Sequence, residues 1–242
     1  MAESIPKNQP CFVVEGNIGA GKSTFLKIIG NYLQAQLVFE PHEQWQNIGG
    51  ENLLDYFYKD TQRWSYTFQS YAFITRILAQ QEHARRNKQP IQVLERSIYS
   101  DRFCFAKNCF EMGLMTSLEW KLYQEWFGWL VESHTTQPSA FIYLRTDVEI
   151  CYERLVKRNR SEETGVSRDY LELLHRKHED WLIHNKEVAS SVHSVPVLVL
   201  ECNEDFENNQ TVQKEHMRTI VNFLETKFNV PAHVSRAPHV TL

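Results

Sequence analysis

The stretch Gly16-Asn17-Ile18-Gly19-Ala20-Gly21-Lys22-Ser23-Thr24 contains the pattern G-x-x-x-x-G-K-[ST] and follows directly on the apolar run Cys11–Glu15. Phosphate oxygens need several donors converging on a small volume. The glycines let the backbone bend so that successive N–H groups point inward at the start of a helix. In that setting Lys22 counters the charge on β- and γ-phosphates, and Ser23 is the hydroxyl ligand of Mg²⁺. A chance glycine-rich turn is the bland alternative, but it leaves the full match and the preceding strand unexplained.

Two carboxylates stand where such a loop would need them. Glu40 follows the apolar run Gln36–Phe39 and Glu95 follows Ile91–Leu94. In an open parallel sheet, ligands bind beyond the carboxyl ends of the strands. Phosphoryl transfer to a hydroxyl needs a base at the attacking oxygen and an acid beside the metal, so Glu40 is read as the base and Glu95 as the metal-side acid. Either acid could instead cap a following helix. Arg96 comes next, and Arg154, Lys157, Arg158 and Arg160 place four positive charges within seven residues. Arg154 and Arg158 share a helical face and could close over phosphates as a lid; a solvated basic face is the other reading.

A second set suggests an acceptor pocket. Gln69, Ala72 and Arg76 fall on one helical stripe, and an amide, a small residue and a guanidinium together make a poor core face. Asp101 and Phe105, four residues apart, pair an acceptor able to orient Arg76 with a ring able to stack on a planar base. An ordinary Arg–Asp surface pair and core phenylalanines account for the same residues equally well.

The elements that must position these groups are five apolar runs, Cys11–Glu15, Gln36–Phe39, Ile91–Leu94, Ala140–Leu144 and Val197–Leu200, separated by helix-length segments. That alternation predicts an α/β fold, a parallel sheet with helices on both faces and strands buried on both sides. Between Thr61 and Lys88, Phe68, Ala72, Phe73, Ile74, Ile77, Leu78 and Ala84 recur at helical spacing, and Arg85, Arg86 and Lys88 suit a helix C-terminus. The 242 residues carry 26 basic and 30 acidic side chains, a formal net charge of −4, which excludes a strongly basic nucleic-acid binder. No apolar run reaches the length of a membrane span, and Met1 to Pro10 lacks a signal-peptide or transit pattern. Five cysteines, with no C-x-x-C, suggest neither a disulfide framework nor a zinc site and point to a reducing compartment, the cytosol. One domain spanning 1–242 is expected, with residues 1–9 and 231–242 as mobile ends.

Taken together, Gly16 to Thr24, Glu40-Pro41, Tyr58, Arg63-Trp64, Thr67-Phe68-Gln69, Glu95-Arg96-Ser97, Tyr99-Ser100-Asp101-Arg102 and Arg154 to Glu163 resemble the deoxyribonucleoside kinase family, nearest its deoxycytidine and deoxyguanosine branch, over roughly residues 9–228. The resemblance implies a P-loop kinase fold with a five-stranded parallel sheet of order 2-3-1-4-5, an arginine-rich lid, and homodimers formed through a helical face. It implies that ATP and Mg²⁺ serve transfer to a nucleoside 5′-hydroxyl, with no nucleic-acid or membrane partner. Glu40 then matches the general base, Arg96 the arginine beside the transferred phosphate, and Glu95 the magnesium-side acid. Tyr58 and Glu163 match residues holding the sugar 3′-hydroxyl, and Gln69 the base-reading amide. Phe105 with Phe68 matches the aromatic packing, Trp45 the nearby wall, and Arg154, Arg158 and Arg160 the lid. Arg76 and Asp101 match the pair that disfavours thymidine, and Ala72 leaves room for deoxycytidine or a purine deoxynucleoside, without ranking them. A nucleoside monophosphate kinase needs extra cationic anchors where Glu40 stands. A silent binding subunit would not need Lys22, Ser23, Glu40, Glu95 and Arg96 together, and a GTPase switch leaves the basic run unexplained.

Overall fold

A computed structural model describes residues 9–86, 89–186, 188 and 191–230. In chain order it runs β1 (Cys11–Glu15), α1 (Lys22–Tyr32), β2 (Ala35–Val38), α2 (His42–Gln46), α3 (Leu53–Lys59), α4 (Thr61–Arg86), β3 (Ile91–Glu95) and α5 (Ile98–Ser100). A wide π-helical turn (Asp101–Ala106) leads into α6 (Lys107–Glu111), α7 (Ser117–His134), β4 (Ala140–Arg145) and α8 (Val148–Arg158). A 3-10 turn (Ser161–Gly165), α9 (Arg168–His178), a second π turn (Glu179–Ile183), β5 (Val197–Glu201) and α10 (Gln210–Phe228) complete it.

The five strands form one parallel sheet of order β2-β3-β1-β4-β5, as the resemblance implies. Its central strand buries both faces. Phe12 and Val14 join a core with Phe25 and Ile29 of α1 and Ile220 of α10, while Cys11 and Val13 join one with Phe73 of α4, Tyr123 of α7 and Trp181. This is why the run shows no polar alternation. At the edge the expectation of two buried faces fails: Val197, Leu198 and Val199 of β5 are only half-buried, because the strand has a neighbour on one side alone. The β2 run ends one residue early. Its ladder with β3 closes at Val38 against Leu94, and Phe39 turns outward into the loop that carries Glu40.

Helix α4 departs most from its expected pattern. Ile74 and Leu78, two of the apolar positions at helical spacing, are 40% and 55% exposed, whereas Gln69, Thr75, Arg76 and Gln80 are buried. One face of α4 lines the site and a second packs on the sheet. The third lies beside α7, whose Trp126 and Trp129 are 51% and 53% exposed. Lys88 and, except for Gln9, the expected mobile ends lie outside the described residues. All five cysteines are buried and free.

Candidate active site

The sheet register fixes the site. Val14 pairs with Glu95 and Leu94 with Val38, so the loops after β1, β2 and β3 leave the same edge side by side. That edge includes the point where the chain crosses from one side of β1 to the other, where open α/β sheets hold ligands. A cavity of about 660 Å³ opens there. It is lined by every candidate residue named above except Gly16, Asn17 and Ala20, which build the loop from behind.

In the glycine loop, φ is +81° at Gly19 and +91° at Gly21. A Cβ on Gly19 would sit 2.1 Å from the Cys151 carbonyl oxygen, and one on Gly21 would sit 2.5 Å from the Phe206 ring. Only glycine fits the backbone against α8 on one side and the loop after β5 on the other. Asn17 shapes the turn: its Oδ1 accepts the Ile18 N–H at 2.9 Å, and its Nδ2 donates to the Leu171 carbonyl at 2.9 Å. Helix α1 begins at Lys22 with no side-chain cap, so its first N–H groups face the cavity as an anion site. Lys22 Nζ donates to the carbonyls of Gly16 (3.2 Å) and Asn17 (2.7 Å). Burial first, then the Arg96 charge, pulls its ammonium down to about 7, against the opposing pull of Glu40, Glu95 and Glu15.

A continuous polar path joins this loop to the second-strand acid. The Ser23 hydroxyl donates to Glu95 Oε1 at 2.5 Å, and the Glu40 backbone N–H donates to Glu95 Oε2 at 3.3 Å. The Glu40 carboxylate is held by three side chains: Arg76 Nη2 (2.7 Å) and Arg96 Nε (3.3 Å) on Oε1, and His42 Nε2 (3.0 Å) on Oε2. Burial alone would raise this carboxyl, but Arg76, His42 and Arg96 outweigh it and hold it well below the usual carboxylate range. Its place in the sequence does not cap α2: Pro41 is the N-cap, and no side chain caps that helix.

Arg76 and Asp101 form the pair foreseen from their spacing, and it is buried rather than on the surface. Nε donates to Oδ2 at 2.8 Å and Nη2 to Oδ1 at 3.0 Å, while Nη1 reaches the Glu95 carbonyl at 3.2 Å. Two carboxylates raise Arg76 further above its already high range, against the opposing effect of burial. The widened turn Asp101–Ala106 aims Asp101 and Phe105 together: Phe105 lies under the Arg96 guanidinium, 4.5 Å from ring centre to Cζ. Gln69 and Ala72 continue the stripe on α4, closed by Phe68, which stacks on Phe57 and meets Trp45 edge-on. Tyr58 faces the same cavity, and burial and, next, the Glu163 charge push its hydroxyl upward.

The basic run is divided. Arg154 donates to the carbonyls of Cys202 (3.0 Å) and Glu204 (2.9 Å) and lies over Phe206, fastening the loop that faces Gly21. Arg158 and Arg160 both hold Glu163, the latter at 3.4 Å. Beneath them, Glu162 accepts from Asn52 (2.9 Å) and Gln46 (2.8 Å), tying this segment to α2 and α3.

Sequence reasoning missed several neighbours. Glu15 is fully buried and accepts the Ser97 N–H (2.9 Å) and hydroxyl (2.5 Å). It thus holds the chain beyond Arg96, a non-glycine residue at φ +63°. Burial lifts the Glu15 carboxyl to about 7 despite Arg96. An acid ending an otherwise apolar central strand was the available signal. His42, Tyr170 and Phe206 had none, since they come from loops or from faces without a repeating pattern.

A family model described as deoxynucleoside kinase matches residues 12–225. The chain is 38% identical to deoxycytidine kinase 2 of Gallus gallus, across 87% of this chain and 89% of that protein. It is 42% identical to the probable deoxycytidine kinase of fowlpox virus, across 87% and 86%. With the mitochondrial deoxyguanosine kinase of Xenopus laevis it shares 39% identity, across 84% of each. With its glycine loop, its paired strand-end acids and its sheet order all in one cavity, the chain belongs to the deoxynucleoside kinase family.

Proposed function

We propose that the protein transfers the γ-phosphoryl group of ATP to the 5′-hydroxyl of a deoxyribonucleoside, with deoxycytidine and purine deoxynucleosides preferred over thymidine. The observation that carries this reading is the unbroken path Ser23, Glu95, Glu40 across one cavity, which joins a phosphate loop to a buried carboxylate. A carboxylate offers about four lone-pair positions; Arg76 Nη2 hydrogen-bonds to one on Oε1, while Arg96 and His42 stand at ion-pair distances of 3.3 and 3.0 Å. A position left open is the place for the acceptor's hydroxyl proton. Because Glu40 stays ionised, it orients that hydroxyl and takes its proton as the bond to phosphorus forms.

Lys22 and Arg96 meet the charge that spreads over the phosphoryl oxygens; Arg96 Nη1 is buried and has no partner among the described residues. Ser23 and Glu95 set a hydroxyl and a carboxylate side by side, the hard oxygen donors that Mg²⁺ takes together with phosphate. Bound there, the ion would neutralise charge on the transferring group. Tyr58 and Glu163 are offered as the sugar clamp and Arg154, Arg158 and Arg160 as the lid. Gln69 and the Arg76–Asp101 pair present a fixed set of donors and acceptors to a base edge beside the small Ala72. The names of the relatives, deoxycytidine and deoxyguanosine kinases, agree with that preference.

The exposed side chains Ile74, Leu78, Leu118, Leu122, Trp126 and Trp129 on α4 and α7 support a homodimer through that face. Five buried free thiols support work in the cytosol, and one sheet with a core on each face supports a single catalytic domain. The test is transfer of label from γ-labelled ATP to each of the four deoxynucleosides and the matching ribonucleosides. Product with deoxycytidine or a purine deoxynucleoside above that with thymidine is expected. No labelled monophosphate from any of them would overturn the reading.

A further inference from the structure

His42 is drawn into the site by geometry that the functional reading does not use. Among the described residues, the Glu40 carboxylate has two arginines on Oε1, but Oε2 meets a single side chain, the His42 ring at 3.0 Å. A carboxylate turns easily about its last bond, so a partner on the second oxygen sets its plane. The ring is itself braced: it meets Trp45 edge-on at 5.0 Å, and the Trp45 indole N–H donates to the Thr75 hydroxyl at 2.8 Å.

The same nitrogen has a second suitor. Arg160 Nη1 stands 3.3 Å from His42 Nε2. In a neutral imidazole that nitrogen either carries a proton, and donates to Glu40, or a lone pair, and accepts from Arg160; it cannot serve both. His42 Nδ1 is buried with no partner among the described residues, so no bond there selects the tautomer. Glu40 and Arg160 therefore compete through one atom.

We propose that His42 is a positioning residue for the phosphoryl-transfer step: its Nε2–H holds the second oxygen of Glu40 and keeps the carboxylate plane aligned with the acceptor hydroxyl, in competition with Arg160. The inference rests on the reading of Glu40 as the base. Without His42, Oε2 is free to turn out of line, and turnover falls while the nucleoside, held elsewhere in the cavity, binds as before.

The test compares the steady-state kinetics of wild type, Glu40→Gln, His42→Leu and His42→Gln, with thermal unfolding of each as a control for folding. Leucine fills the space without a donor, whereas the glutamine amide offers N–H and C=O from different atoms. His42→Leu should lower kcat about 5-fold, the worth of one ordinary hydrogen bond, with the nucleoside KM within about 2-fold. His42→Gln should recover most of the loss. Wild-type kcat in His42→Leu, a loss confined to KM, or a His42→Gln enzyme no better than His42→Leu would each overturn the proposal. Wild-type turnover in Glu40→Gln would overturn the base reading and this proposal with it. An inactive Glu40→Gln enzyme beside an unaffected His42→Leu enzyme would overturn this proposal alone.

Discussion

Removing the carboxylate of Asp101 leaves a buried guanidinium short of its main partner. Arg76 and Asp101 side chains are 7% and 4% exposed and share two hydrogen bonds. Breaking a buried pair from one side costs about 3–5 kcal/mol, because the remaining charge stays out of water. Glu40 still compensates Arg76 in part, so Asp101→Ala should lose about 3 kcal/mol, the lower end. In a chain of this length that corresponds to a fall of about 6–12 °C in the unfolding midpoint. Turnover should fall as well, since an Arg76 released from Asp101 leans on the Glu40 oxygen and makes the carboxylate a weaker proton acceptor. Arg76→Met combined with Asp101→Leu removes both charges of the pair but leaves Glu40 with Arg96 and His42 alone, so only part of the lost stability should return, and activity should not. Calorimetry or circular-dichroism melts with parallel kcat measurements decide the matter. A midpoint shift under about 2 °C for Asp101→Ala would refute the reasoning, since it would mean that a buried guanidinium stripped of its main partner costs the fold almost nothing.

Gly19→Ala should abolish productive ATP binding and lower stability, because its Cβ would meet the Cys151 carbonyl at 2.1 Å. Gly113→Ala, at φ +75° with open space around it, should cost only about 1 kcal/mol; equal effects in melts and nucleotide titrations would discredit the packing argument. Asn52, together with Gln46 and Ser161, holds Glu162 down to about 2, so its folded carboxyl ionises more readily than its unfolded one. The stability it lends is full above the ordinary carboxylate range and is lost as pH falls towards about 2. Glu162→Gln should therefore lower the melting midpoint at neutral pH, with the gap to wild type closing on acidification; a gap constant with pH would be the contrary result.

How much of this was legible follows from which contacts are local. The glycine loop, Glu40 and Glu95 could be read because a parallel sheet sends every strand end to one edge, and a short apolar run followed by an acid marks that end. The Arg76–Asp101 pair was visible as two stripes, although only the structure showed it to be buried. Its further bond to Glu40 crosses three elements, and no spacing reports it. His42 lies two residues beyond Glu40, across the turn that opens the short α2, where separation in sequence does not fix direction. The exposure of Ile74 and Leu78 was not legible, because periodicity marks an apolar face without naming what covers it. The divided basic run shows the same limit: Arg154 and Arg158 share a helix, yet one reaches backbone carbonyls and the other Glu163.

The most direct measurement is a crystal structure with a non-hydrolysable ATP analogue, Mg²⁺ and deoxycytidine bound together. The account predicts the triphosphate on the Gly16–Thr24 loop and the 5′-oxygen about 3–3.5 Å from the γ-phosphorus, hydrogen-bonded to Glu40. A nucleoside seated outside this cavity, or one whose 5′-oxygen points away from Glu40 with the analogue in place, would contradict it.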